Sequence, residues 1–189
     1  MQISLNLIEK YLISEKIKTN LLSGAQDRWE YSLVLLFFLI EIPSFSLHFS
    51  DSKLIGNLAM FLKPEEYNFQ SRKWPRVYII SILRIMFESE PEKINFIIEF
   101  NVIESLKDIL VSGDIASNYE VLLMIDVITN ISDKEIKKEI LNRLQQQKFV
   151  ELLLELRERL EKDNKMNTDQ VLKHEMVNYI CYLEKIYRH

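Results

Sequence analysis

Apolar residues recur at spacings of three and four along almost the whole chain, and no stretch holds the strict alternation of a half-buried strand. The pattern predicts helices in series over 5–22, 27–42, 51–62, 72–88, 91–100, 102–111, 118–131, 133–144, 145–160 and 168–187, with a short element at 43–49. The most apolar run, Leu33 to Ile40, is 8 residues long and is followed by Glu41 and Pro43. That is far short of the roughly 20 residues a bilayer requires, so it reads as a helix buried on most sides.

The order short, medium, long recurs among these helices. In the centre, 91–100 carries Ile94, Ile97 and Ile98 on one face, Asn101 breaks the chain, 102–111 follows, and 118–131 places Val121, Leu122, Ile125 and Ile128 at helical spacing. Anchoring the third helix of each set at Leu35, Ile82, Ile125 and Val177 gives intervals of 47, 43 and 52 residues. Two- and three-helix solenoid repeats run to roughly 40–47 residues. The last interval is stretched by the polar loop 163–167. Units at about 1–42, 43–89, 90–132 and 133–189 make one repeat domain over 1–189. Each triplet has apolar residues on more than one face and needs a stacked neighbour to bury them. A globular bundle of the same helices is the alternative.

The residues that carry a resemblance lie between about 91 and 160. Asn95-Phe-Ile-Ile-Glu-Phe-Asn-Val-Ile-Glu-Ser-Leu-Lys-Asp-Ile-Leu110 resembles the armadillo-repeat junction between first and second helices. Val121 to Ile131, a leucine-rich run ending in Asn and an aliphatic residue, resembles an armadillo third helix, and Phe149 to Leu156 is similar to another second helix. The resemblance implies an all-α fold: a right-handed α-solenoid of about three and a half armadillo-like three-helix repeats. Armadillo units place Gly at the first-to-second helix break and use small residues in their helices. In this chain Asn101 holds the break and there are three alanines, which leaves the related HEAT subtype open.

Composition narrows the chemistry. Only 3 Gly and 4 Pro occur, against the roughly 13 and 9 of average usage, so phosphate loops and nucleophile elbows have little material. The few breakers fall at boundaries: Gly24 and Gly113 at helix ends, Pro43 and Pro91 at repeat starts, Pro64 after a helix, Pro75 in a first turn. Gly56 alone sits inside a predicted helix. His48, His174 and His189 are far apart and outside any metal-binding spacing, and Cys181 reads as a packed thiol without an activating partner. No catalytic set assembles, so the expectation is a non-enzyme with no metal and no cofactor. A lone cysteine and a charged N-terminus point to an intracellular, cytoplasmic or nuclear, protein.

The 24 basic and 28 acidic residues oppose broad phosphate-backbone binding, and the Arg72, Lys73, Arg76 cluster beside Trp74 is too small to change that. Residues 64–132 hold 6 basic and 11 acidic side chains, which favours a basic or neutral partner segment. The resemblance implies that third helices line a concave groove. The candidate partner-binding residues on them are Arg76 and Arg84 in 72–88, Tyr119, Asp126 and Asn130 in 118–131, and His174 and Asn178 in 168–187. Ser81 and Glu88 extend the first polar line, Leu123 the second, Cys181 and Lys185 the third. Such a ladder of amides and charges suits an extended peptide. Importin alpha uses Trp and Asn pairs on these helices; Asn130 matches the Asn, but one turn earlier stands Asp126. The function expected is a protein- or peptide-binding scaffold with no nucleic-acid or membrane partner. The alternative is an assembly subunit, or a fragment of a larger repeat protein, that self-associates or docks through its uncapped ends, including the run Tyr179 to Tyr187.

Overall fold

The computed structural model describes residues 2–23, 26–42, 45, 48–49, 51–63, 74–112, 114–162 and 170–187. Among them lie ten α-helices and no strand. They are α1 (Gln2–Ser23), α2 (Gln26–Ile40), α3 (Ser52–Met60), α4 (Trp74–Ser89), α5 (Asn95–Glu99, entered through a 3₁₀ turn at Pro91–Ile94), α6 (Val102–Ser112), α7 (Ile115–Thr129), α8 (Lys134–Gln146), α9 (Phe149–Lys162) and α10 (Gln170–Tyr187). None of the described helices is long and apolar enough to cross a membrane. Gly24, Pro43, Pro64, Arg72, Lys73, Gly113, the loop 163–167, His189 and most of the 43–49 element lie outside the described residues, as does the side chain of Trp74.

Aspartates open three of the helices. Asp51 accepts from the Leu54 amide at 2.8 Å, Asp133 from Glu135 and Ile136 at 3.0 Å each, and Asp114 from Ala116 at 3.1 Å and Ser117 at 3.3 Å. Each satisfies first-turn donors that no helical carbonyl reaches. The Asp114 cap starts α7 at Ile115, three residues before the start the apolar pattern predicts. The expected helix 145–160 starts later, at Phe149, because Lys148 takes φ 58° and the chain turns there. Asn101 takes φ 53° at the break before α6. Left-handed backbone costs an L-residue about 1–2 kcal/mol and glycine far less. Lys148→Gly is therefore expected to stabilise the fold by about 1 kcal/mol, part of the relief being offset by the more flexible unfolded chain. Urea denaturation checks this, and a loss of stability would show that the lysine stem is held in place by its neighbours.

The chain divides into two compact units, Met1–Phe100 and Asn101–His189, a boundary that falls within the stretch 90–132. In the first unit α1 runs antiparallel to α2, with Asn20 Nδ2 donating to Ser32 Oγ at 3.0 Å. This pair lies on the next two helices, α1 on α3 and α2 on α4. Leu21, Leu33, Leu36, Leu54, Ile80 and Phe87 are among its fully buried side chains, and the Trp29 and Phe61 rings sit 4.3 Å apart. Gly56 lies where α3 meets α5: a Cβ built there would stand 2.8 Å from the Phe100 ring. The apolar run in α2 is buried on one side only. Leu33, Leu36 and Ile40 face inward, while Leu35 and Phe38 are exposed, since no described element packs against that side.

In the second unit α6 lies on α7 and α9, α7 on α8 and α10, and α9 on α8 and α10. Ile103, Leu106, Ile125, Phe149, Leu153 and Ile180 belong to its core. Polar links tie residues 40 to 49 positions apart. Arg143 Nη1 donates to Asn101 Oδ1 at 3.2 Å, Lys107 Nζ to Gln147 Oε1 at 3.1 Å, and Arg159 Nη2 to the Leu110 carbonyl at 2.9 Å. The last of these satisfies an end-of-helix carbonyl in α6 that has no acceptor role inside its own helix.

Candidate partner-binding surface

On α4, Arg76 and Arg84 are half-buried and Glu88 is exposed. The polar line expected through Ser81 is interrupted: Ser81 is buried and donates to the Val77 carbonyl at 2.9 Å, a local bond that lets a small hydroxyl sit in the core. Arg84 Nη1 meets Glu88 Oε1 at 2.9 Å, one turn along the same helix. Arg76 Nε is buried without a hydrogen-bond partner among the described residues.

On α7, the residues left partly open include Tyr119, Leu123, Asp126 and Asn130, one stripe as the spacing predicts. Ser117, Val121, Ile125 and Ile128 point into the core on the other side. Asn130 Nδ2 donates to Asp126 Oδ1 at 2.6 Å, which fixes the carboxylate one turn before the helix end.

On α10, His174, Asn178 and Lys185 are exposed, and Tyr182 joins them. Cys181 does not: it is half-buried on the side of α9, with Arg157 Nη1 3.9 Å from its sulfur and 2.8 Å from Glu184 Oε1. The α10 residue that meets Asp126 is Tyr179, one position from Asn178 and so about 100° round the helix. Its hydroxyl is buried without a well-formed hydrogen bond, and its ring lies 5.9 Å from that of Tyr182. Burial first, and the Asp126 carboxylate second, hold the Tyr179 phenol well above its ordinary pKa, with Tyr182 and Tyr119 adding to the effect.

No family model, curated protein or solved structure matches the chain. What the surface can do therefore follows from its own residues. It unites Asp126 and Asn130, with Tyr119 within electrostatic reach of Tyr179, and leaves His174 and Asn178 as exposed positions on the neighbouring helix. Sequence spacing misses Tyr179 because an aromatic inside an apolar helix carries no mark of which neighbour it will face. Among the described residues, no three His, Cys, Asp or Glu side chains are grouped as metal ligands. An open cleft of about 330 Å³ lies elsewhere in this unit, lined by Val111, Leu152, Glu155, Glu158, Arg159 and Lys162. Its charges are of both signs, and Arg159 is already engaged by the end of α6.

Tyr179 gives the second unit a pH dependence of known sign. Its phenol keeps its proton more tightly when folded than when unfolded, so its contribution is whole below pH 10, the ordinary phenol value, and is lost as pH rises beyond it. Tyr179→Phe is expected to leave neutral-pH stability within about 1 kcal/mol, because the hydroxyl lost has no good partner. The variant should also flatten the fall in urea midpoint as pH rises above 10. An unchanged alkaline slope in Tyr179→Phe would assign that slope to other groups.

Proposed function

We propose that this chain is a non-catalytic scaffold, a right-handed α-solenoid of armadillo-like repeats that binds a protein or peptide partner along the open faces of its third helices. The observation that carries the reading is the recurrence of the left-handed junction. Asn101 before α6 and Lys148 before α9 stand 47 residues apart and take φ 53° and 58°. One repeat period separates two matching backbone breaks between a first and a second helix. Two further features support it. Second helices lie on second helices, α1 on α3 and α6 on α9, and third helices on third helices, α2 on α4 and α7 on α10. The polar links between helices in the second unit span 40 to 49 residues, close to the same period.

In this reading Tyr119, Asp126, Asn130, His174 and Asn178 present amides, a carboxylate and aromatic edges to an extended segment, and Arg76 and Arg84 present guanidinium groups. A stiff helical scaffold loses little entropy on binding. The acidic middle of the sequence selects a basic or neutral segment. The test begins with affinity capture of partners from the native cell and measures the recovered partner against Arg84→Glu with Asp126→Lys. The expected outcome is a loss of about tenfold or more in affinity with helicity intact, the loss typical of an interface charge worth more than about 1 kcal/mol. Unchanged affinity would remove the third-helix faces from the binding site.

A further inference from the structure

α7 carries two charged residues, Glu120 and Asp126, and both are acidic. Asp126 is half-buried where α7 lies on α10, and what surrounds it there leaves its charge without a counterion. Asn130 Nδ2 donates to Asp126 Oδ1 at 2.6 Å, but an amide brings no charge. Tyr179 faces the carboxylate from α10 and keeps its proton well beyond neutral pH, so it is neutral too. No lysine or arginine among the described residues forms an ion pair with Asp126. The lysines of α10, Lys173 and Lys185, each stand six residues from Tyr179 and so about 120° round that helix from it. Partial burial strengthens the attraction of such a carboxylate for a cation.

Aromatic surface adjoins it. The Tyr182 ring lies 5.9 Å from that of Tyr179, their planes tilted by 40°, and Tyr182 is 46% exposed. Tyr119, two turns before Asp126 on the same stripe of α7, is within electrostatic reach of Tyr179 as well. Ring faces attract positive charge and cover methylene groups, while the carboxylate accepts N–H donors. Three tyrosines and one uncompensated carboxylate are therefore complementary to a cation on an apolar stem. A guanidinium suits them better than an ammonium, since it is more weakly hydrated, stacks on aromatic rings and presents its donors in a planar fork. We propose that this face seats one arginine side chain of the partner segment, with its guanidinium on Asp126 and its stem across Tyr182. The proposal rests on the third-helix reading above and adds to it the side chain that the partner brings.

The test titrates the full chain with capped serine-glycine peptides that differ at one central residue: arginine, lysine, or citrulline, the uncharged isostere of arginine. Binding is read from the backbone amide NMR shifts. The arginine peptide is expected to give saturable shifts centred on Asp126, Asn130 and Tyr182. Citrulline should weaken binding by about tenfold or more, and lysine by about threefold. Asp126→Asn, which removes the charge and keeps the shape, should bring the arginine peptide down to the citrulline level. Tyr182→Ala should weaken it by about threefold, with circular dichroism unchanged in both variants. The proposal is overturned if no saturable shift appears, if the shifts centre elsewhere, if citrulline or lysine binds as tightly as arginine, or if Asp126→Asn binds as tightly as the unaltered chain. A captured partner that weakens with Arg84→Glu and Asp126→Lys but tolerates glutamine at each of its arginines removes this inference and leaves the scaffold reading standing. A partner indifferent to that double change removes the scaffold reading itself.

Discussion

Phe149→Ala is expected to destabilise the fold by about 3–5 kcal/mol, a large share of the roughly 5–15 kcal/mol that holds a domain together. Phe149 is the first residue of α9, directly after the left-handed Lys148, and its ring is fully buried. Truncation removes the apolar surface of the ring and leaves a cavity at the place where the chain changes direction. The backbone there is constrained, since Lys148 donates its amide to the Gln145 carbonyl at 2.9 Å and its own carbonyl accepts from Leu152 at 3.2 Å. Collapse around the missing ring is therefore limited, which puts the cost toward the upper part of that range. Phe149→Leu keeps most of the volume and should cost about 1 kcal/mol. Urea denaturation followed by circular dichroism separates the two, and equal midpoints for them would mean that the ring is not a fixed part of the core.

Gly56→Val is expected to cost about 3 kcal/mol, against a helix propensity that alone favours valine over glycine by a few tenths. The reason is steric. A Cβ at position 56 stands 2.8 Å from Cε1 and Cζ of Phe100 and 3.3 Å from Cε2, so the added atom meets one edge of the ring. The ring is itself stacked on Phe96 at 5.7 Å, which restricts the way it can yield. If contact with this ring is the cause, Phe100→Ala should cost less in the Gly56→Val chain than in the unaltered one, a coupling that a double-mutant cycle reads directly. Additive effects would locate the cost of valine elsewhere.

The helices are legible in the sequence because their signals are local. Asp51 and Asp133 stand immediately before apolar-periodic runs, and the structure uses both as caps. The break at Asn101 is legible too, since asparagine tolerates left-handed backbone better than most residues. Lys148 is not, because lysine carries no such preference; its conformation is imposed by the helices on either side. Burial of polar residues is also hidden. Ser81 reads as a surface residue until its hydroxyl finds the Val77 carbonyl, and Tyr179 reads as plain core until α7 places Asp126 against it. The outward face of α2 shows the reverse error. A run of eight apolar residues reads as interior, but whether a side chain is covered depends on how many neighbours the helix has, and among the described residues α2 has them on one side only. The candidate site is legible as a stripe on α7 and only partly on α10, where Cys181 turns toward Arg157.

Arg159 imposes an order in time on the second unit. Its guanidinium supplies the donor for the Leu110 carbonyl at the end of α6, from 49 residues further along the chain. A ribosome adds roughly 5–20 residues each second, so the end of α6 waits about 2–10 s for the residue that completes it. Until α9 has emerged, the Leu110 carbonyl lacks its Arg159 donor, and the last turn of α6 is held by its packing on α7 alone. The arrival of α9 therefore completes the end of the helix made 49 residues before it.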